Sequence, residues 1–165
     1  MASGVPSLLC FASFIFLQSG QFQVFGQETP SPKFEINITA DNNFTLYDSF
    51  STIGNGSNLK EVFTFSLQDP PRRLFVDAGN TGGPQWLILE TSEGLVSNAS
   101  WRCVSNEDSS IKPPFDNVNI DSWPNAEVIA EPGWPIAPSF SEQAFVIWAP
   151  MSNLSDPEKN KIICV

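Results

Sequence analysis

The chain has 165 residues, with 41% hydrophobic and 12% aromatic side chains, and its 18 acidic against 8 basic residues give a net charge of −10 at pH 7. This charge argues against a nucleic-acid partner, because phosphate binding requires a basic surface. The complete lack of histidine excludes a Ser-His-Asp triad, a Cys-His pair and a histidine-ligated zinc site.

The N-terminal part has the pattern of a secretory signal. An uncharged apolar run over residues 8–17 is followed by Val24 and Gly26, at the positions where signal peptidase prefers small or β-branched residues. A membrane span is the alternative, but it requires about 20 apolar residues, and a polar stretch ends the run too early. The sequence therefore predicts a signal peptide over residues 1–26, no membrane span, and a secreted, extracellular product of residues 27–165.

Short strands separated by prolines, glycines and polar loops account for the mature chain. Apolar and polar residues alternate with period two in several segments, and no window keeps a helical period over three turns. The polar stretches 48–60, with Asn55-Gly56 as a turn signal, and 107–124 are predicted to be loops. This pattern is typical of a single all-β sandwich or jelly roll with residues 74–103 at its centre. The predicted strands cover residues 34–39, 43–47, 61–67, 74–78, 86–89, 126–130, 143–148 and 161–164.

The cysteine count supports secretion. Cys10 leaves with the predicted signal peptide, so Cys103 and Cys164 remain as a single pair. We predict a disulfide between them, since two free thiols are the less favoured state in an oxidising compartment. In the chain-entropy model, closing this loop would stabilise the fold by about 4 kcal/mol.

Five N-glycosylation sequons are consistent with the same compartment. In the predicted strands 34–39 and 43–47 the apolar side chains alternate inward, which turns Asn37 and Asn43 toward solvent. These two are the strongest of the predicted glycosylation sites, which are Asn37, Asn43, Asn55, Asn98 and Asn153.

A set of short motifs occurs in order along the chain. They are Asn43-Phe-Thr-Leu-Tyr47, Asn80-Thr-Gly-Gly83, Trp101-Arg-Cys103, Phe115-Asp116, Asp121-Ser-Trp-Pro-Asn-Ala126, Gly133-Trp134, Ala144-Phe-Val-Ile-Trp-Ala149 and Ile163-Cys164. Together they resemble a family of secreted galactose-binding-like β-sandwich domains of animal extracellular proteins. The resemblance covers nearly all of residues 27–165 and implies an all-β, galactose-binding-like jelly-roll β-sandwich. The sequence departs from the family pattern at Asp48-Ser49, at 117–120 and at Gly133, all in predicted loops.

Catalytic and metal chemistry find little support in the sequence. Acidic pairs for glycoside hydrolysis would have to come from polar loops, where solvated acids are the usual case. We therefore predict a protein without enzymatic activity or cofactor. Acidic loop residues could supply oxygen ligands for calcium, but no contiguous ligand pattern is present. We favour surface acids over a metal site for Asp41, Asp48, Asp108 and Asp116.

Two tryptophans in proline-bearing loops are the candidate ligand-binding residues. An exposed indole at Trp123 or Trp134 could stack on a sugar face, while burial as a loop anchor is the alternative. Trp134 is the first candidate, because prolines hold the chain on both sides of it. The expected function is a lectin-like binding module for carbohydrate or extracellular glycoprotein. The alternative is an acidic structural glycoprotein of an extracellular or mineralising matrix.

Overall fold

The computed structural model describes residues 34–58, 61–83, 85–130, 139–154 and 160–165. The predicted signal peptide lies outside these ranges. Within them the chain forms ten β-strands and two short 3-10 helices, Ile120–Ser122 and Met151–Asn153, and no α-helix. The strands are β1 (Phe34–Ala40), β2 (Asn43–Tyr47), β3 (Thr52–Gly56), β4 (Phe63–Leu67), β5 (Phe75–Asn80), β6 (Leu87–Thr91), β7 (Cys103–Ser105), β8 (Glu127–Ala130), β9 (Val146–Trp148) and β10 (Asn160–Cys164).

These strands form two antiparallel five-stranded sheets. Sheet 1 has the order β4-β1-β6-β9-β8, and sheet 2 has the order β3-β2-β5-β10-β7. The chain changes sheet at most connections, so that β5 and β6, neighbours in sequence, lie in opposite sheets. The all-β prediction is confirmed, and the two packed sheets are consistent with a β-sandwich. The galactose-binding-like jelly roll stays a prediction.

The main core lies between the two sheets and follows strand alternation. Ile36 and Ile38 of β1 point into it from sheet 1, and Leu46, Val76 and Ile162 do so from sheet 2. All five are fully buried. Because burying a large aliphatic side chain contributes about 1.5–3 kcal/mol, this core is the principal source of stability.

A second cluster covers the outer face of sheet 2. Phe75 and Ile163, which alternate with core residues on β5 and β10, pack with Phe115 and Trp123 from the irregular segment 106–126. The rings of Phe75 and Phe115 stack with their centroids 4.3 Å apart. The sequence predicts a surface loop here, and that prediction is wrong in one respect: the segment is irregular, but it buries two aromatic side chains against the sheet.

Strand β3 lies inside the stretch 48–60, where the sequence predicts a loop with a turn at Asn55-Gly56. The loop prediction is wrong for residues 52–56, and the turn prediction is wrong because Asn55 and Gly56 belong to the strand. The two glycines of β3, Gly54 and Gly56, lie at positions where the strand packs against aromatic rings. A Cβ at Gly56 would lie 2.5 Å from the Phe44 ring, and a Cβ at Gly54 would collide with the ring of Phe65. Close ring packing therefore explains the glycines in this strand.

A disulfide joins β7 and β10, as the sequence predicts. Cys103 and Cys164 are bonded, face each other across the two strands and are fully buried in the main core. The next pair along, Arg102 and Val165, exchanges backbone hydrogen bonds of 2.9 and 3.0 Å. The cysteines therefore occupy a non-hydrogen-bonded position, where facing side chains come closest. The crosslink fixes β7, a three-residue strand that the sequence pattern does not predict.

Candidate ligand-binding site

One end of sheet 2 brings separate loop segments together. Tyr47, the last residue of β2, pairs with Phe75, the first residue of β5. The turn 48–51 and the connection that carries Arg72 and Arg73 into β5 therefore lie at the same end of the sheet. The irregular segment on the outer face supplies a third side.

The turn 48–51 is closed by the Asp48 carboxylate. Its Oδ1 accepts hydrogen bonds of 2.6 Å from the backbone N–H groups of Phe50 and Ser51, and its Oδ2 accepts one of 3.1 Å from the Ser51 hydroxyl. Burial acts to raise the pKa of Asp48, but these hydrogen bonds to the charged form outweigh it and hold the pKa below its usual value of 3.8. The turn presents Phe50 to solvent, with 69% of the residue exposed.

Phe115 fixes the third segment against this turn. Its N–H donates a hydrogen bond of 2.8 Å to the carbonyl of Ser49. Its ring stacks on Phe75 and meets Tyr47 edge-on at a centroid distance of 5.4 Å. Asp116 follows directly and is exposed. Backbone and ring contacts to a buried cluster thus limit the conformational freedom of the loops at this end.

The three segments line a surface cavity of about 190 Å³, here named the arginine cleft. Arg72 and Arg73 are both exposed. Neither forms an ion pair with a described residue, since the single ion pair in those ranges joins Lys161 to Asp77. An aromatic ring, two cations, a carboxylate and a hydroxyl therefore share one concave site. The lining residues are Ser49, Phe50, Arg72, Arg73 and Asp116.

Trp123, one of the two predicted ligand-binding tryptophans, does not line the arginine cleft. Trp123 is only 8% exposed, belongs to the outer cluster of sheet 2, and accepts a 2.8 Å hydrogen bond from Arg102 at its carbonyl. Its indole has almost no free face for a sugar, which agrees with the alternative of burial as a loop anchor. Trp134 lies outside the described residues, and its role as a stacking platform stays a prediction.

The arginine cleft is absent from the sequence-based predictions, although two signals point to it. The turn Asp48-Ser-Phe-Ser51 leaves an aromatic residue at its tip, and adjacent arginines follow Pro70-Pro71 in an otherwise acidic chain. Neither signal indicates that the two loops meet, because their proximity depends on the pairing of β2 with β5.

The four acidic calcium candidates have separate local roles. Asp41 is buried and accepts a hydrogen bond from the Asn42 amide, Asp48 closes its turn, and Asp108 accepts a 2.9 Å hydrogen bond from the N–H of Ser110. The fourth, Asp116, lines the arginine cleft. Across the ranges that the structure describes, no three His, Cys, Asp or Glu side chains lie together in a group that could hold a metal ion.

The sequon asparagines lie at several kinds of position. Asn37 and Asn43 alternate with core residues and face away from the main core, as the strand pattern predicts. Asn43 and Asn55 are exposed, while Asn37 and Asn98 are half-buried. Asn153 lies in the second 3-10 helix. Glycosylation at these positions stays a prediction.

A partly buried ion pair lies on the outer face of sheet 2. Lys161 Nζ is 2.9 Å from Asp77 Oδ2, whereas Asp77 Oδ1 is buried without a hydrogen-bond partner among the described residues. Burial raises the pKa of Asp77 above its usual 3.8, and Lys161 and Asn106 oppose this shift only in part. The Asn106 amide group donates instead to the Ile111 carbonyl at 3.0 Å. Folding therefore disfavours the charged form of Asp77.

Comparison with known proteins adds no relative: no protein-family model, curated protein or solved structure matches the chain. Within the described ranges, no helix has the length and apolar character needed to cross a lipid bilayer. The functional argument therefore rests on the geometry of the arginine cleft.

Proposed function

We propose that the protein is a secreted, non-catalytic binding module that recognises carbohydrate, either free or attached to extracellular glycoproteins. The observation that carries this proposal is the arginine cleft, in which the exposed Phe50 shares one cavity with two guanidinium groups, a carboxylate and a hydroxyl. Small-ligand sites usually combine an apolar surface with a few polar groups that fix the orientation of the ligand.

The side chains of the arginine cleft match the surface of a sugar ring. A pyranose presents C–H groups on one face and hydroxyl groups around its edge. The Phe50 ring can cover the C–H face, while Asp116 accepts hydrogen bonds from hydroxyl groups and Arg72 and Arg73 donate to them. An aromatic side chain with two rotatable bonds also loses little conformational entropy on binding.

The arginine cleft is held in shape by contacts that do not involve a ligand. The Asp48 carboxylate closes the turn that carries Phe50, and the Phe115 N–H bonds to the Ser49 carbonyl. Such preorganisation reduces the ordering cost of binding. The cavity of about 190 Å³ is smaller than the roughly 300–1,000 Å³ of sites for drug-sized ligands, so we expect one or two sugar units to make the contacts.

A glycan array probed with the secreted protein tests the proposal, and Phe50→Ala identifies the site. We expect wild-type binding to one class of glycan and about a tenfold loss in Phe50→Ala, equivalent to about 1.4 kcal/mol. Because Phe50 is exposed, the thermal unfolding midpoint should change little. Val128→Ala, which removes an exposed apolar side chain from β8 in the other sheet, is the matched control.

Two outcomes of this experiment count against the proposal in different ways. If the wild type binds no glycan on the array, carbohydrate recognition is refuted. If it binds, but Phe50→Ala and Val128→Ala bind equally well, the site lies elsewhere, and Trp134→Ala becomes the next variant to measure.

The second candidate function is an acidic structural glycoprotein of an extracellular or mineralising matrix. The net charge of −10 favours it, because an acidic surface attracts cations through its summed field. This function predicts adsorption to a calcium mineral that falls as ionic strength rises and that Phe50→Ala leaves unchanged. A mineral-adsorption assay beside the glycan array therefore separates the two candidates with the same pair of proteins.

A further inference from the structure

We infer that the ligand of the arginine cleft carries an acidic group, a carboxylate or a sulfate, next to its sugar ring. The inference rests on the proposed function and narrows it to acidic glycans. The observation that supports the inference is the charge of the cleft: Arg72 and Arg73 both line it, and neither forms an ion pair with a carboxylate of a described residue.

Arg72 and Arg73 are well placed to contact an anion. Both side chains are exposed and line the same cavity, while the residues that follow, Leu74 and Phe75, are buried. An anchored backbone therefore carries two planar guanidinium groups. Each presents its N–H donors as a fork that matches the oxygens of a carboxylate or sulfate in two parallel hydrogen bonds. A neutral hydroxyl group has one oxygen, so it cannot accept two parallel hydrogen bonds from one guanidinium group as a carboxylate or sulfate does.

Few acidic groups compete with a ligand for these arginines. The Asp48 carboxylate accepts three hydrogen bonds within its own turn. Among the described lining residues Asp116 has the one acidic side chain, and it forms no ion pair with either arginine. The described lining residues therefore carry a net positive charge, in a chain with 8 basic and 18 acidic residues.

The net charge of −10 does not prevent an acidic ligand from binding. Repulsion between exposed charges is largely screened beyond about 8 Å at physiological ionic strength. A carboxylate in the cleft would be in direct contact with the guanidinium groups, at distances where screening is weak. The overall charge would then oppose nonspecific association of acidic polymers, and the local cations would select those whose ring also fits Phe50.

The test compares glycans with the same ring structure and different charge. The probes are an oligogalacturonate, its methyl-esterified form and an O-sulfated derivative of that methyl ester, with affinities measured by calorimetry on the secreted protein at physiological salt. We expect at least one acidic probe to bind about tenfold more tightly than the neutral ester. The double variant Arg72→Gln/Arg73→Gln should remove this difference, so that it binds the acidic probes no more tightly than the ester. The relative affinities of the two acidic probes show whether the cleft prefers a carboxylate or a sulfate.

Two single variants separate a local contact from a general charge effect. Asp116→Asn removes the negative charge from the cleft and should increase the affinity for the acidic probes relative to that for the ester about two- to fivefold, as expected for exposed charge pairs. Lys112→Gln removes an exposed cation that does not line the cleft, so it should change neither affinity.

The possible failures of the inference and of the proposed function are distinguishable. Equal wild-type binding of the acidic and neutral probes, with Phe50→Ala weakening all of them, would overturn the inference and leave the proposed function intact. If Lys112→Gln weakens acidic binding as much as the arginine double variant does, the preference is a general charge effect and the inference fails. If no glycan binds, acidic or neutral, the proposed function and the inference fail together.

Discussion

The two faces of sheet 2 are built in different ways. The inner face follows the period-two pattern of its strands, with Leu46, Val76 and Ile162 packed against the opposite sheet. On the outer face, Phe75 and Ile163 are covered by an irregular segment in place of a second sheet. Local alternation therefore determines the inner face, whereas the outer face depends on contacts between residues far apart in the chain.

The irregular segment 106–126 is held on the outer face of sheet 2 by polar contacts, and not by the hydrogen bonds of a strand ladder. The Asn106 amide group donates to the Ile111 carbonyl at 3.0 Å and accepts from the Ile111 N–H at 2.9 Å, and Arg102 donates to the Trp123 carbonyl. Side chains thus satisfy backbone groups that have no partner in a sheet. The same cover brings Phe115-Asp116 to the arginine cleft, so the outer face contributes both to stability and to the proposed binding site.

The largest expected effect concerns the inner face. Replacing both Cys103 and Cys164 with alanine removes a crosslink between residues 61 positions apart and should lower the free energy of unfolding by about 4 kcal/mol. Denaturant unfolding of the purified protein measures the loss. Peptide mapping without reductant should show one linked pair, and two alkylatable thiols in the native protein would contradict the prediction.

The second-largest expected effect, that of Phe115→Ala, tests whether the buried cluster on the outer face of sheet 2 stabilises the fold as a core does. Phe115 is fully buried, so Phe115→Ala should lower the free energy of unfolding by about 3 kcal/mol and also weaken glycan binding. The exposed Phe50 is the matched comparison, and Phe50→Ala should change stability by less than about 0.5 kcal/mol. If both variants unfold at the same denaturant concentration, the cover is no more than the surface loop that the sequence predicts.

The sequence predicts the strands that have a clear pattern of apolar residues, either alternating or continuous. All eight predicted strands correspond to strands of the structure, and the Cys103–Cys164 disulfide is confirmed. The two strands that it misses lack this pattern for physical reasons. β3 has glycines at Gly54 and Gly56, which make room for aromatic rings and resemble a turn signal. β7 is too short to show alternation, and its position is fixed by the crosslink.

The site is harder to predict, because it depends on register and on packing across the outer face. Phe50 and the two arginines lie far apart in the chain and meet through the pairing of Tyr47 with Phe75. Trp123 is buried against the outer cluster for the same kind of reason. A loop aromatic residue can be exposed or buried, and its own neighbours in sequence do not determine which.

The smallest expected effect concerns two carboxylates with opposite pKa shifts. On the covered outer face, burial raises the pKa of Asp77, and the Lys161 ammonium offsets this only in part. In the exposed turn, the pKa of Asp48 is lowered despite its partial burial, because hydrogen bonds from Phe50 and Ser51 stabilise the charged form. The two groups should therefore change protein stability in opposite directions as the pH rises.

The sign for each follows from proton linkage. Because its folded pKa is raised, Asp77 contributes stability that is present below its unfolded pKa and is lost as the pH rises through its folded pKa. The neutral variant Asp77→Asn should match the wild type near about pH 3 and have a higher unfolding midpoint than the wild type near about pH 7. Asp48 contributes stability above its unfolded pKa, so Asp48→Asn should have a lower unfolding midpoint than the wild type at neutral pH, and this difference should shrink on acidification.

Thermal unfolding of the wild type and the two variants across this pH range isolates both differences, since all other carboxylates are common to the three proteins. Differences that stay constant with pH would contradict both shifts, and the covered and exposed parts of sheet 2 would then be electrostatically alike.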